Sequence, residues 1–369
     1  MKNILKTAGK FFRDQTVLCI AFAAAVLSML AVPPDAGYLG YIDYHVIMLL
    51  FCLMGVVAGL RSAGIFEKLT CTMLSFAKSR RSLAFILMNI CFFTSMLVTN
   101  DVALITFVPL TLILFRESAK NCILTIIIQT AAANLGSCLT PVGNPQNLYI
   151  YTQYDLSFGY FLQTLLPIGI VSYVLLCISC LLVDNGKIEL KREKDKPIQY
   201  RKLIILSALF IICLLTVLRI VPHAVCLVLV CIGLLTEPKL FARIDYALLF
   251  TFVCFFVFVG NMGRIDTVRE TLSAIMTGRE LLVSALVSQV ISNVPAAVML
   301  SAFTDNAGEL LKGVNIGGLG TPVASLASLI SYQLYAKSKG AQKGRYMAFF
   351  LAINIAMLIV LLCFGIFVF

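Results

Sequence analysis

Polar residues interrupt two apolar stretches of the sequence, and their side chains suit the binding of small ions. Thr99-Asn100-Asp101 separates apolar residues 83–98 from 102–115, and Ser292-Asn293-Val294-Pro295 separates 281–291 from 296–303. Amide and hydroxyl oxygens are hard ligands that suit Na⁺, whereas the free N–H groups at helix starts suit an anion. Asp101 is the ionisable residue that we expect at the centre of a bilayer, at a cost of ~3 kcal/mol on insertion scales. Its carboxylate can hold a cation or carry a proton.

A second polar break follows each of these interruptions, and the two breaks resemble each other. Residues 134–142 and 315–323 agree at Asn, Gly, Thr, Pro and Val, with Leu exchanged for Ile. Two breaks that recur in the same order in both halves of a chain indicate the midplane site of a transporter. The predicted substrate- and ion-binding residues are Thr99, Asn100, Asp101, Asn134, Thr140, Pro141, Gly143, Asn144, Ser292, Asn293, Asn315, Thr321 and Pro322, with Na⁺ expected at Asn100, Asp101 and Asn293.

The composition is that of a membrane protein. Of the 369 residues, 60% are hydrophobic and 13% are charged, about half the charge of a soluble protein. Several apolar runs exceed ~17 residues, which is enough to cross a bilayer. The net charge of +11 comes from basic residues at helix ends, so nucleic acid is not an expected partner. The 13 Cys have no metal or disulfide spacing, and the chain has no phosphate-binding glycine loop with a Lys. We therefore expect neither an enzyme nor an ATP-driven pump, and no cofactor.

The order of apolar runs predicts an all-α polytopic membrane protein with two inverted repeats. Each repeat is expected to contain a re-entrant helical hairpin and a broken transmembrane helix. The first repeat is residues 1–183, with its hairpin at 82–115 and its broken helix at 121–151. Residues 184–202 form a basic cytoplasmic linker, and the second repeat is residues 203–369, with its hairpin at 280–304 and its broken helix at 313–336. Full spans are expected at residues 16–32, 44–60, 160–183, 203–218, 224–236, 246–262 and 346–369.

Lys and Arg predict the orientation of the chain in the plasma membrane. The N-terminal segment is expected to be an uncleaved signal anchor. With a cytoplasmic N-terminus and an external C-terminus, 24 of the 29 basic residues are cytoplasmic. The external ones are Arg219, Arg264, Arg269, Arg279 and Lys312. The charges do not separate full spans from re-entrant hairpins, but three of the four hairpin arms are shorter than the ~30 Å hydrocarbon core. Ile42-Asp43-Tyr44 and Ile244-Asp245-Tyr246 each open a span, from opposite faces, so the repeats are expected to be inverted and their hairpin tips to meet.

The chain resembles the ion transporter superfamily of citrate and dicarboxylate permeases, arsenite permeases and Na⁺/H⁺ antiporters. The resemblance depends on Thr99-Asn100-Asp101, residues 140–147, Ser292-Asn293-Val294-Pro295 and Thr321-Pro322-Val323. It implies a homodimer in membrane lipid, an elevator-like transport domain, a small anion or oxyanion as solute, and Na⁺ or H⁺ as coupling ion.

Sodium-coupled dicarboxylate members of this superfamily carry Ser-Asn-Thr at both tips. Here Asp101 and Val294 replace the two Thr residues. Citrate-like transport, arsenite-like transport and Na⁺/H⁺ antiport therefore all stay open. A passive channel or an accessory membrane subunit is the alternative of a different class.

Overall fold

A computed structural model describes residues 15–66, 68, 77–115, 122–187 and 199–367, and most of these residues are helical. The predicted all-α fold is confirmed. The basic start 1–13 and most of the predicted linker, 188–198, lie outside the described residues. The helices of the first half are α1 (Thr16–Ala31), α2 (Tyr38–Tyr41), α3 (Tyr44–Ser62), α4 (Arg80–Val98), α5 (Asn100–Leu114), α6 (Ile123–Ser137), α7 (Pro145–Gln153) and α8 (Phe158–Cys180).

The second half continues the pattern. Its helices are α9 (Tyr200–Val217), α10 (His223–Leu235), α11 (Tyr246–Gly263), α12 (Asp266–Met276), α13 (Glu280–Ile291), α14 (Asn293–Ser301), α15 (Ala307–Ile316), α16 (Leu326–Ala336) and α17 (Lys343–Phe367). A short 3₁₀ helix, Pro238–Arg243, precedes α11. Each half therefore contains two adjacent helices that meet at one residue, α4–α5 and α13–α14, followed by two helices that are separated by a break, α6–α7 and α15–α16.

The lengths and compositions of the helices match a protein that crosses a bilayer several times. Within the described ranges, six helices are long and apolar enough to span: α3, α4, α8, α9, α11 and α17. Helices α12 and α13, bent by 111°, make a seventh candidate when they are counted together. On α8, the exposed residues Ile170, Val174 and Ile178 are spaced by one helical turn and form an apolar stripe. Exposing such a stripe to water would be unfavourable, so it faces lipid. The chain is a multi-pass membrane protein.

One helix boundary and one additional helix differ from the sequence-based expectation. Helix α15 begins at Ala307, whereas the predicted helix began at 313, so Lys312 lies inside a helix and not in an external loop. Lys312 is buried, and its Nζ is 2.6 Å from Glu309 Oε1 one turn earlier. Pairing with Glu309 compensates the charge of Lys312, which allows this lysine to be buried within a helix. The amphipathic helix α12 was not predicted because its polar residues suggest a loop.

The helices form two groups, which we call the core bundle (α4–α8 and α13–α17) and the outer bundle (α1–α3 and α9–α11). Within the outer bundle, α1 packs on α11, and α3 packs on α9 and α10. Within the core bundle the two halves are interleaved: α5 packs on α16, and α14 packs on α7. The two bundles touch where α11 contacts α14 and where α3 contacts α7. The predicted binding residues all belong to the core bundle.

Glycines at corresponding points of the two halves allow close backbone contact inside the core bundle. A Cβ on Gly136 of α6 would lie 2.2 Å from the carbonyl oxygen of Phe92 in α4. A Cβ on Gly317, at the end of α15, would lie 2.8 Å from the Cα of Ala285 in α13. The two glycines are 181 residues apart, and their two contacts are 193 apart. Helix α6 therefore packs on α4, and α15 on α13, at equivalent places in the two halves.

Candidate functional site

The two hairpins reverse direction at single residues with nearly identical, unfavourable backbone angles. Thr99, between α4 and α5, has φ 73° and ψ 149°. Ser292, between α13 and α14, has φ 77° and ψ 153°. Residues with a side chain rarely adopt this region, at a cost of roughly 1–3 kcal/mol each, and such strain is concentrated at functional sites. The equal geometry makes the two tips the same structural element.

Each tip is tied to the broken helix of its own half by the same two hydrogen bonds. The first amide of the outgoing arm donates to a carbonyl in the break, and the threonine of the break donates back to a carbonyl of the incoming arm. In the first half, Asn100 N donates to Gly143 O at 3.2 Å, and Thr140 Oγ1 donates to Met96 O at 2.5 Å. In the second half, Asn293 N donates to Ala324 O at 2.9 Å, and Thr321 Oγ1 donates to Gln289 O at 2.9 Å. The predicted Thr140 and Thr321 therefore hold the tips in place.

Asn134, near the end of α6, joins the first tip to the second half of the chain. Its Oδ1 accepts hydrogen bonds from Asn100 Nδ2 and from Ser325 Oγ, both at 3.0 Å. Its Nδ2 donates to Ser328 Oγ at 3.2 Å and to the Gly318 carbonyl at 3.3 Å. Four bonds use the full capacity of this amide, which is only 4% exposed. Asn134, in the first break, is therefore hydrogen-bonded both to the first tip and to the second break.

Asn315, which corresponds to Asn134 in the second half, makes the reciprocal contacts. Its Nδ2 donates to Asn147 Oδ1 at 2.6 Å, and its Oδ1 accepts from Asn144 Nδ2 at 3.3 Å. Ser325 and Ser328, the partners of Asn134, lie 181 residues after Asn144 and Asn147, the same offset that separates the two asparagines. Each half thus bonds to the equivalent residues of the other, which is the contact pattern that a two-fold relation produces.

Four helices begin at this cluster, which we call the asparagine network. They are α5, α7, α14 and α16, and the first residues of all four are bonded to one another through Asn134, Asn315 and the two breaks. Asn144 caps α7, because its Oδ1 accepts from the backbone N–H of Asn147 at 3.0 Å. Helix starts carry a partial positive charge and unpaired N–H groups. The arrangement can therefore hold an anion while its amide oxygens offer ligands to a cation.

Asp101 lies in the first turn of α5, beside the network and outside its bonds. Its backbone N–H donates to Asn100 Oδ1 at 2.9 Å. Its carboxylate Oδ1 is buried and has no hydrogen-bond partner within the described part of the chain. A buried carboxylate oxygen without a partner is costly, which makes Asp101 a candidate residue for binding a cation or a proton.

One turn further along α5, an arginine from the outer bundle reaches the helix backbone. Pro109 has no N–H, so the carbonyl of Ile105 lacks the donor that a continuous helix would supply. Arg61 at the end of α3 supplies one, with Nη2 3.2 Å from that carbonyl. Arg61 thus contacts the backbone of α5 at Ile105, four residues after Asp101, where the two bundles meet.

The structure brings most of the predicted residues together. Asn100, Asn134, Asn144 and Asn315 belong to the network, Gly143 contributes its carbonyl, and Pro141 and Pro322 lie in the breaks. Asn293 faces the second break, with its Nδ2 2.9 Å from where a Cβ on Gly318 would be, while Ser292 Oγ is 3.4 Å from the Ala324 carbonyl. The prediction missed Asn147, Ser325 and Ser328. Extending the alignment of residues 134–142 and 315–323 by six positions would have found both serines.

Comparison with known proteins identifies the family. The family model described as "Citrate transporter" matches residues 5–314. A transporter of Methanocaldococcus jannaschii is 33% identical over 333 residues, 88% of this chain and 90% of that protein. The inner membrane protein YbiR of Escherichia coli is 31% identical over 298 residues, 79% of this chain and 80% of that protein. A silicon efflux transporter of rice is 31% identical over 173 residues, 45% of this chain and 36% of that protein. The chain therefore belongs to the citrate transporter family and is a multi-pass membrane transporter.

Proposed function

We propose that this protein is a secondary active transporter that binds a small anion or oxyanion at the asparagine network and couples its movement to Na⁺ or H⁺. The observation that carries the proposal is the reciprocal bonding of Asn134 and Asn315 across the two halves. It gathers four helix starts and several amides at one buried point, which is a preformed site for a small charged solute.

The side chains favour a small oxyacid over a multiply charged carboxylate. Amides and hydroxyls both donate and accept, so they match a solute that carries both hydroxyl and oxide groups. A second negative charge beside Asp101 is unfavourable unless a cation neutralises it. The rice relative, which is named a silicon efflux transporter, is consistent with this class of solute. Citrate-like solutes require that Na⁺ or H⁺ binds with them at Asp101.

The coupling ion is proposed to occupy the position next to Asp101. The unpartnered Oδ1 and the amide oxygens of Asn100 and Asn293 are hard ligands that fit Na⁺, and the same carboxylate oxygen can take a proton. Binding at this point would balance the charge of an anionic solute in the network. The same residues without an anion would support Na⁺/H⁺ antiport, which is the alternative.

The movement is proposed to be an elevator motion of the core bundle against the outer bundle, in a homodimer of the plasma membrane. The contacts between the bundles involve few helix pairs, such as α14 on α11 and α3 on α7, which supports sliding. In this proposal α4–α5 and α13–α14 are re-entrant hairpins that enter from opposite faces, with the N-terminus cytoplasmic. Arms α13 and α14, of 12 and 9 residues, would be about 18 and 14 Å long, too short to cross.

Uptake into proteoliposomes tests the proposal. Citrate, dicarboxylates, arsenite and silicic acid are offered in turn, with a Na⁺ or a pH gradient imposed. We expect one solute to accumulate against its gradient, and Asp101→Asn to abolish the dependence on the coupling ion. Asp155→Asn is the matched control, because Asp155 is an exposed acid that pairs with Arg219 away from the network.

Each other outcome selects another function. Na⁺-dependent pH change without any anion would replace the proposal by Na⁺/H⁺ antiport. Flux that needs no coupling gradient and does not saturate would indicate a passive channel. Absence of flux for every solute and ion, from a folded protein, would favour an accessory membrane subunit.

A further inference from the structure

An open groove with an apolar floor and a polar rim lies between α4 and α8, at the end of the core bundle where α4 begins and α8 ends. Its volume is about 560 Å³. Phe85, Ile178 and Leu181, which line it, are 42%, 55% and 61% exposed. Since both helices have the length and apolar composition of segments that lie in a bilayer, these side chains face hydrocarbon and not water. The groove has the shape and lining to take part of an acyl chain.

The polar rim of the groove is preformed, and it carries a positive charge that no acidic side chain within the described residues neutralises. Ser79, Arg81, Ser82 and Asn185 line it. The backbone N–H of Arg80 donates to the Gly186 carbonyl at 2.9 Å, which fixes the chain after α8 against the start of α4. Hydrogen-bonding groups of the rim thus lie next to the apolar floor of the groove, in the same order as the headgroup and acyl chain of a lipid.

The two neighbouring arginines of the rim have different partners. Arg80 Nη1 is 3.1 Å from Asp184 Oδ2, so its charge is balanced. Arg81 donates from Nε to the Val183 carbonyl at 3.0 Å, and within the described residues its Nη atoms have no partner. Arg81 also lines the groove, whereas Arg80 does not. The rim therefore offers a guanidinium that is held in place at one nitrogen and open at two.

From these features we infer that the groove is a binding site for one anionic phospholipid, with an acyl chain on Phe85, Ile178 and Leu181 and the phosphate at Arg81. Basic pockets between membrane helices on the cytoplasmic side characteristically bind anionic headgroups. The distribution of Lys and Arg assigns this end of α4 and α8 to the cytoplasm, where anionic lipids are enriched. A guanidinium with two open nitrogens matches the geometry of a phosphate. The site is separate from the asparagine network.

Native mass spectrometry of the purified protein with added lipid tests the inference. Phosphatidylglycerol and phosphatidylcholine with identical chains are compared for the wild type, Arg81→Gln and Arg80→Gln. The expected result is preferential retention of one phosphatidylglycerol, reduced about five-fold by Arg81→Gln. Arg80→Gln removes the same charge one residue away and is expected to have little effect. Thermal unfolding of both variants confirms that they are folded.

A photo-crosslinking residue at position 178 identifies the occupant directly. An adduct with the mass of a phospholipid supports the inference, and an adduct with the mass of a second chain overturns it, because the groove would then be an interface between copies. Equal losses of bound phosphatidylglycerol in Arg81→Gln and Arg80→Gln would overturn it as well. They would show that lipid binding depends on the total positive charge at this end of the bundle and not on Arg81. Equal retention of the two lipids would overturn the inference of an anionic lipid, because both lipids carry a phosphate and they differ in the net charge of the headgroup.

Discussion

Asn134 makes more hydrogen bonds between the two halves of the chain than its counterpart Asn315 does. Its removal is therefore the sharpest perturbation of the network. Asn134→Ala deletes four bonds, to Asn100, Ser325, Ser328 and the Gly318 carbonyl. Three of these connect the two halves of the chain. All four partner groups lose a buried contact at once.

The loss can be estimated from these four bonds. Interhelical bonds in membranes average about 0.6 kcal/mol, and a typical bond in a protein contributes about 1 kcal/mol. Four of them give about 2–4 kcal/mol in the free energy of unfolding. Asn354→Ala is the matched control, since Asn354 is equally buried but its Nδ2 donates only to the Phe350 carbonyl of its own helix. Truncation to Ala removes the same atoms in both variants, so the difference between them reports mainly on the hydrogen bonds between the two halves of the chain.

The assay is unfolding of the purified protein by SDS in mixed micelles, followed by circular dichroism. Asn134→Ala is expected to shift the midpoint far more than Asn354→Ala, by the equivalent of about 2 kcal/mol or more. Equal shifts for the two variants would refute the reasoning, because the bonds from Asn134 would then contribute nothing beyond those within one helix.

Two further predictions concern the backbone of the core bundle. Gly136→Ala and Gly317→Ala are both expected to lower the melting temperature, because each new methyl group would meet backbone atoms of a hairpin arm at 2.2–2.8 Å. Gly159→Ala is the control and is expected to be neutral, because no atom lies within 4 Å of its new methyl group. An unchanged melting temperature for either of the first two variants would contradict the close packing. Arg61→Met is expected to destabilise α5 by removing the donor to its free carbonyl, and adding Pro109→Ala, which restores a helical N–H, is expected to recover part of the loss. Melting curves of the single and double variants check this, and absence of any recovery would count against that role of Arg61.

The residues of the tips and breaks could be predicted from sequence because a polar break in an apolar run is conspicuous. Asn100 and Asn293 stand at the exact starts of α5 and α14, and the equal spacing of Asn134 and Asn315 to their Thr-Pro pairs was visible in the repeat. In the same way, long apolar runs were enough to locate the spanning helices to within a few residues.

The remaining features depend on contacts that a sequence does not display. The repeat alignment can pair Ser325 and Ser328 with Asn144 and Asn147, but their hydrogen bonds to Asn134 appear only when the two halves are packed together. The charge of Lys312 predicts a loop, because the sequence does not show that its Nζ pairs with Glu309 Oε1 inside a helix. The donation from Arg61 to α5 needs both the proline that frees a carbonyl and the fold that brings a distant helix end to it.

The central claim is that the tips of both halves line one site through which the solute passes. Its most direct test is the initial rate of solute uptake, in proteoliposomes, by Asn100→Ala and Asn293→Ala, with Asn354→Ala as the control for a buried asparagine elsewhere in the core bundle. We predict that both tip variants lose uptake of the same solute while the control retains it. A folded tip variant of either half that transports at the wild-type rate would contradict the account.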